Sequence, residues 1–218
     1  MIEIKLIKPT IVGKTTPLKK INLPSRMSNK LAELVGIHFG DGSIYMENKK
    51  TNRKYYRIVY CFNIKEKELQ EEVKKMFNDH FNIQLGEYTY INKSAVALAC
   101  SSKELCYFLN ENFNIPFGKK NHLCLPKIIK NNKIYLRYFI RGLFKTDGCC
   151  FIKKDKGYEY PIIKITTKCK EFSKDIQKSL IGFGFRARIN KKHWGNHSGY
   201  DVVLHGEKQH RKWFSEIM

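Results

Sequence analysis

Between Ser28 and Gly42 the apolar positions fall at helical spacing. Leu31, Leu34, Val35 and His38 share one face at i, i+3, i+4 and i+7, with Ser28 placed as an N-cap. Ala32, Gly36 and Gly40 form a second stripe at four-residue spacing, a face of small residues that lets two helix backbones approach closely. Behind this helix the pattern changes to the basic, β-prone "NRKYYRIVYCFNI". Then come the amphipathic "KEKELQEEVKKMFNDHF", the strand-like "SAVALACS" and the amphipathic "SKELCYFLNENF". The same order then recurs. "IRGLFKTDG" aligns with "LVGIHFGDG", so that Gly36 falls on Gly142, Asp41 on Asp147 and Gly42 on Gly148 at one constant offset. "YPIIKITTK", "KEFSKDIQKSLIGFGF", "GYDVVLHG" and "EKQHRKWFSEIM" follow.

This duplication predicts an α+β fold of two αββαββα halves, over residues 25–120 and 131–218, joined by a linker at 121–130. Residues 1–24 read as a basic extended arm with no assigned role. If the two motif helices pack side by side and parallel about a pseudo-twofold axis, their small faces meet and Asp41 and Asp147 end up together.

Composition narrows the function. An apolar content of 42% with 14 Phe and 12 Tyr supports a packed core. No apolar run approaches the roughly eighteen residues of a membrane span, and the N-terminus alternates apolar and charged residues, unlike a signal peptide. The seven cysteines include no CxxC pair, which points to reduced thiols in a cytosol. Of the adjacent Cys149 and Cys150, strand alternation predicts one buried and one exposed. The 41 Lys and Arg against 20 Asp and Glu give a net charge of +21, for which a nucleic acid is the natural partner.

The two aspartates are chemically out of place. A carboxylate at a helix C-terminus opposes the dipole, and two of them together repel each other. A divalent cation relieves both. Mg²⁺ takes one or two carboxylates plus phosphate and water, and the backbone carbonyls of Gly40 and Thr146, at the helix ends, are further candidate ligands. On a basic body this set points to metal-assisted phosphodiester hydrolysis. His38, on the motif helix, is expected to be packed. "HWGNH" has no metal-binding partners at clear spacing, and His205 is a strand-end residue without an assigned role.

"LVGIHFGDG" and "IRGLFKTDG" resemble the paired LAGLIDADG motifs of the dodecapeptide homing endonucleases. The resemblance runs from about residue 22 through "KINLPSRMSNKLAELVGIHFGDGSI", "SSKELCYFLNENFNIPFGKKN", "LPKII" and "KIYLRYFIRGLFKTDG". It implies a monomer whose two curved sheets form a saddle on duplex DNA with a long asymmetric site. It further implies cleavage of both strands across the minor groove with short 3′ overhangs, dependent on Mg²⁺ with Mn²⁺ as a substitute. Asp41 and Asp147 match the acidic metal ligands. Lys120, in "GKKN", matches a Gly-x-Lys whose lysine sits beside the scissile phosphate. A second Gly-x-Lys is absent from the second half, so Lys164 is expected as a substitute and the two strands are expected to be cut at unequal rates. DNA contacts are expected from Lys49, Lys50, Arg53, Lys54 and Arg57 in the first half. In the second they are expected from Lys153, Lys154, Lys164, Lys168, Arg186, Arg188, Lys191, Lys192 and His193, with only about half of each strand's set facing DNA. The alternatives are an RNA-binding maturase acting on the host intron RNA and a catalytically inactive DNA-binding regulator. A chain from Met1 to Met218 without the terminal residues of a splicing domain is expected to be free-standing or intron-encoded, and cytosolic.

Overall fold

The computed structural model describes residues 5–8, 21–48, 54–155, 157–194 and 197–218. The first half runs α1 (Asn29–Gly40), β1 (Gly42–Asn48), β2 (Lys54–Asn63), α2 (Lys67–Phe81), β3 (Gly86–Tyr90), β4 (Ala95–Ser101) and α3 (Lys103–Phe113). A short helix that the periodicity did not suggest, α4 (Lys127–Lys130), lies in the linker. The second half runs α5 (Lys133–Asp147), β5 (Gly148–Asp155), β6 (Tyr158–Thr167), α6 (Lys170–Gly182), β7 (Arg188–Trp194), β8 (His197–His205) and α7 (Glu207–Glu216). Each half builds one antiparallel sheet with the same topology, β1-β2-β4-β3 and β5-β6-β8-β7, so the duplication extends to the strand order. No described helix is long and apolar enough to cross a membrane.

Helices α1 and α5 pack against each other at the centre. Ser28 Oγ accepts from Leu31 N at 3.1 Å, and Asn132 Oδ1 accepts from Ile134 N at 2.9 Å and Tyr135 N at 3.2 Å, so each helix starts at a side-chain cap. A Cβ at Gly36 would run into the Phe139 carbonyl and approach Leu143 N to 2.9 Å. One at Gly142 would run into the Glu33 carbonyl and approach Ile37 N to 3.0 Å. The two backbones therefore touch, as the small-residue stripe requires. Gly36→Ala or Gly142→Ala must push the helices apart and should cost about 3 kcal/mol or more. Gly182→Ala, with open space around its Cβ, should be neutral or stabilising. Thermal melts of the three variants check this.

One face of the pair also carries a buried charge cluster. Glu33, fully buried, accepts from Arg141 Nε at 2.9 Å and Nη2 at 2.7 Å, and Lys145 lies 2.8 Å from the oxygen that takes Arg141 Nε. Lys145 also donates to Glu72 of α2 at 2.6 and 2.7 Å. Burial alone would raise the Glu33 pKa, but the bonds from Arg141 and Lys145 hold it below the usual carboxylate range.

Strand alternation gives each sheet two chemically distinct faces. Ile44, Ile58, Tyr60, Phe62, Val96 and Leu98 of the first sheet, and Ile163, Ile165, Val202 and Leu204 of the second, pack into the hydrophobic core under the helices. The intervening residues form the outer faces. Cys149 and Cys150 are both exposed, against the expected split. The reason is that β5 is an edge strand, exposed from Cys149 to Asp155. Its counterpart β1 has its edge covered at Ile44, which bridges Phe117. Of the N-terminal arm, residues 5–8 dock on the first half: Leu6 is buried, and Asn112 of α3 clamps the Ile7 backbone with bonds of 2.7 and 2.8 Å.

Candidate active site

Each motif helix turns into its first strand at Asp-Gly, and the glycines are sterically required. A Cβ at Gly42 would strike the His38 ring and one at Gly148 would strike Phe144. Asp41 caps α1, its N–H bonded to Ile37 O at 3.1 Å, and Asp147 is the last residue of α5. Because α1 and α5 are parallel and in contact, the two carboxylates converge. Asp147 Oδ2 lies 3.4 Å from the position a Cβ would take on Gly40, and the Thr146 side chain packs at the same spot. Thr146 Oγ1 is spent on the Leu143 carbonyl at 2.9 Å.

Burial raises the pKa of Asp41 to about 6, with Asp147 and Glu66 adding to the rise and Lys120 opposing it. Burial likewise raises Asp147 to about 6, opposed by Lys120 and Lys168. Such carboxylates bind protons more readily in the folded chain than in the unfolded one. The metal-free protein should therefore gain stability from this pair as pH falls from about 6 toward 4. Asp41→Asn and Asp147→Asn should each raise the metal-free stability above pH 6 by about 1–2 kcal/mol after solvent screening, seen as a higher melting temperature, and the advantage should vanish near pH 4. Melting curves across that range check the sign.

Lys120 reaches the same point from the other side. The segment before it lies along β1, with Gly118 N bonded to Ile44 O at 2.7 Å. Gly118 has a φ of +85°, a left-handed conformation that glycine adopts without strain. The Gly of Gly-x-Lys makes that turn, and the Lys follows it under the end of α1. Its Nζ donates to the carbonyls of His38 at 3.3 Å, Phe39 at 2.8 Å and Gly40. The Gly40 carbonyl, expected as a metal ligand, thus accepts from Lys120. Burial lowers the Lys120 pKa to about 8, with Asp147 and Asp41 opposing, so it remains a cation at neutral pH. His38 is packed as expected: Nδ1 pairs with the Tyr60 hydroxyl at 2.8 Å, and burial and Lys120 push its pKa down to about 3.

A divalent cation fits this chemistry. Two half-buried carboxylates brought together at two helix C-termini are what a hard cation would relieve. No group of three or more His, Cys, Asp or Glu that could hold a metal occurs among the described residues. The remaining ligands of such an ion would be water and phosphate, as is usual for Mg²⁺.

Lys164 does not join this centre. It lies 3.7 Å from Asp201 and over the Phe151 ring, and the second cation acting on Asp147 is Lys168. Register sorts the rest. Arg57 pairs with Tyr45 and Ser101 on the first outer face. Lys153, Lys164, Arg188 and Lys192 pair with Tyr160, Cys149, Val203 and Gly199 on the second. Lys54, Lys154, Lys191 and His193 fall on the alternate positions, toward the helix side. Arg186 precedes β7, its N–H bonded to Gln209 Oε1 at 2.8 Å. Lys49, Lys50 and Arg53 lie outside the described residues. Asp201, which the charge pattern did not single out, binds Lys192 at 2.7 Å and Thr166 at 2.7 Å and so fixes the cations of the second face. Glu66, beside Asp41, was equally hidden.

Residues 135–218 match the model of a LAGLIDADG-like domain. The chain is 28% identical over 176 residues to a DNA polymerase of Thermococcus sp. strain GE8, covering 78% of this chain and 10% of the polymerase. It is 25% identical over 185 residues to a DNA polymerase of Thermococcus hydrothermalis, covering 80% of this chain and 10% of that polymerase. It thus spans a minor part of these curated relatives. Among solved structures, the homing endonuclease I-DmoI in complex with DNA and Ca superimposes with a TM-score of 0.63 at 22% identity, covering 87% of this chain and 88% of that one. The LAGLIDADG homing endonuclease I-LtrWI bound to target DNA gives 0.61 at 13% identity, covering 86% and 84%. The second half thus matches a LAGLIDADG-like domain, and the two halves together are similar in fold to solved LAGLIDADG homing endonucleases.

Proposed function

We propose that this chain is a sequence-specific DNA endonuclease that acts as a monomer and makes a Mg²⁺-dependent double-strand break at a long asymmetric site, leaving short 3′ overhangs. The observation that carries the proposal is the convergence of Asp41 and Asp147, both raised to about 6, at the end of the α1–α5 pair. The outer faces of both sheets begin two residues after each aspartate, at Ser43 and Cys149. Solved relatives complexed with DNA and Ca or Mn support a divalent cation.

When bound, the cation supplies Lewis-acid polarisation of the phosphate and an activated water. Asp41 and Asp147 would hold it. Lys120 places a positive charge beside the phosphate and stabilises the charge of the transition state. The outer faces grip the duplex, with Lys and Arg on phosphates positioning the protein and others on base edges giving specificity.

Binding should weaken steeply with salt, log K falling by about 0.9 per phosphate contact for each unit of log[salt]. A flat titration would remove DNA as the partner of the positive charge. The decisive experiment is selection of cleavable sites from a randomised plasmid library in Mg²⁺. Linearised plasmids sharing a sequence establish the activity. Binding without nicking would leave the inactive regulator, and binding only to structured intron RNA the maturase.

A further inference from the structure

The two outer faces have the same topology and different chemistry. On the described strands of the first sheet a single cation, Arg57, stands against a single carboxylate, Glu47. Arg57 is itself stacked over the Tyr88 ring at 5.4 Å. The middle of that face is small and apolar: Ala97 and Ala99 of β4 are almost fully covered. Around them stand Tyr45, Tyr88 and Tyr90, large and exposed, Tyr88 at 53% and Tyr90 at 49%. The second outer face carries Lys153, Lys164, Arg188 and Lys192 against Asp155 and Asp201. Asp201, buried, ties Lys164 and Lys192 in place at 3.7 and 2.7 Å.

We infer that the two sheets read their halves of the DNA site by different means: the first by apolar contact with thymine methyl groups, the second by charged hydrogen bonds to guanine. This rests on the DNA-binding reading above. In the major groove, the C5-methyl of thymine is the one apolar feature of a base edge, whereas guanine O6 and N7 are the acceptors that Arg and Lys take. The described strands of the first face carry exposed tyrosines and no net charge, which offers little to guanine or to phosphate, and the exposed rings complement methyl groups. A surface of tethered lysines and an arginine does the reverse. One half-site is therefore rich in thymine and the other in guanine.

The test uses the full chain carrying Asp41→Asn, which keeps the DNA whole. A bound site is selected from a randomised library. It is then scanned by replacing each thymine with deoxyuridine, which deletes the methyl, and each guanine with 7-deazaguanine, which deletes N7. Deoxyuridine is expected to weaken binding about three- to fourfold per contacted position in one half-site only. Deazaguanine is expected to weaken it about fivefold to a hundredfold in the other half-site only. Adding Tyr88→Ala should erase the deoxyuridine effect, and adding Arg188→Ala should erase a deazaguanine effect. An enriched site whose deoxyuridine scan is flat, or equally sensitive in both halves, overturns this inference and leaves the DNA-binding reading standing. A library that yields no enriched sequence overturns that reading and this one with it.

Discussion

Asp41→Asn and Asp147→Asn should each abolish linearisation of a target plasmid while leaving DNA binding intact or tighter. Each change removes one of the two carboxylates that converge at the site, and protein ligands are already scarce there among the described residues. The loss should reach roughly 10³-fold or more, since even one neutral donor to a developing charge contributes 10²–10³. Binding should hold or improve because the change also removes a negative charge facing phosphate, and it relieves the burial that raises both groups to about 6. The same variants should therefore be inactive and more stable, a combination that a misfolded protein does not show. Wild-type linearisation by both single variants in Mg²⁺ would show that the carboxylates are not metal ligands.

Lys120→Met should slow one DNA strand far more than the other, by roughly 10²–10³, so that nicked plasmid accumulates. Lys120 sits under the end of α1, and no lysine takes the equivalent place under α5 among the described residues. On the Asp147 side Lys120 is joined by a second cation, Lys168, so Lys168→Met should slow the opposite strand. Lys164, bound to Asp201, should affect binding in place of chemistry. Since Lys120 also caps three carbonyls, its variant should be melted alongside, and Lys120→Arg should restore stability before it restores rate. Strand-labelled time courses with both strands cut together and no nicked species would refute the asymmetry.

The parts of this molecule that repeat within the chain are legible in its sequence. The helix pair is written in Gly36 and Gly142, the carboxylates in two Asp-Gly turns, and the sheets in runs of β-branched and aromatic residues. What is not legible depends on contacts between distant residues. Which lysines share a face depends on register, and strand pairing decides it: Lys153 and Lys154 are neighbours that point to opposite faces. The choice of Lys168 over Lys164 beside Asp147, and the role of Asp201, follow from the placement of β6 and β8. The exposure of both Cys149 and Cys150 follows from an uncovered edge, which no alternation rule anticipates. Glu33 looks like an ordinary surface glutamate until Arg141, 108 residues away, comes to meet it.

That last pair gives the halves a polarity. A duplicated sequence carries an inherent ambiguity, because each half resembles its partner well enough to associate with a copy of itself. At the position corresponding to Glu33 the second half has Phe139, and Arg141 and Lys145 occur on α5 alone. Two first halves joined through α1 would bury two carboxylates with no guanidinium between them, each faced only by the exposed Lys30 at 3.7 Å. Two second halves joined through α5 would bring four cations together with no Glu33. Only the mixed pairing neutralises the cluster, so the two halves, expressed as separate chains, should assemble as a heterodimer. A pairing fixed in this way by Glu33 and Arg141 leaves each sheet at liberty to carry its own surface.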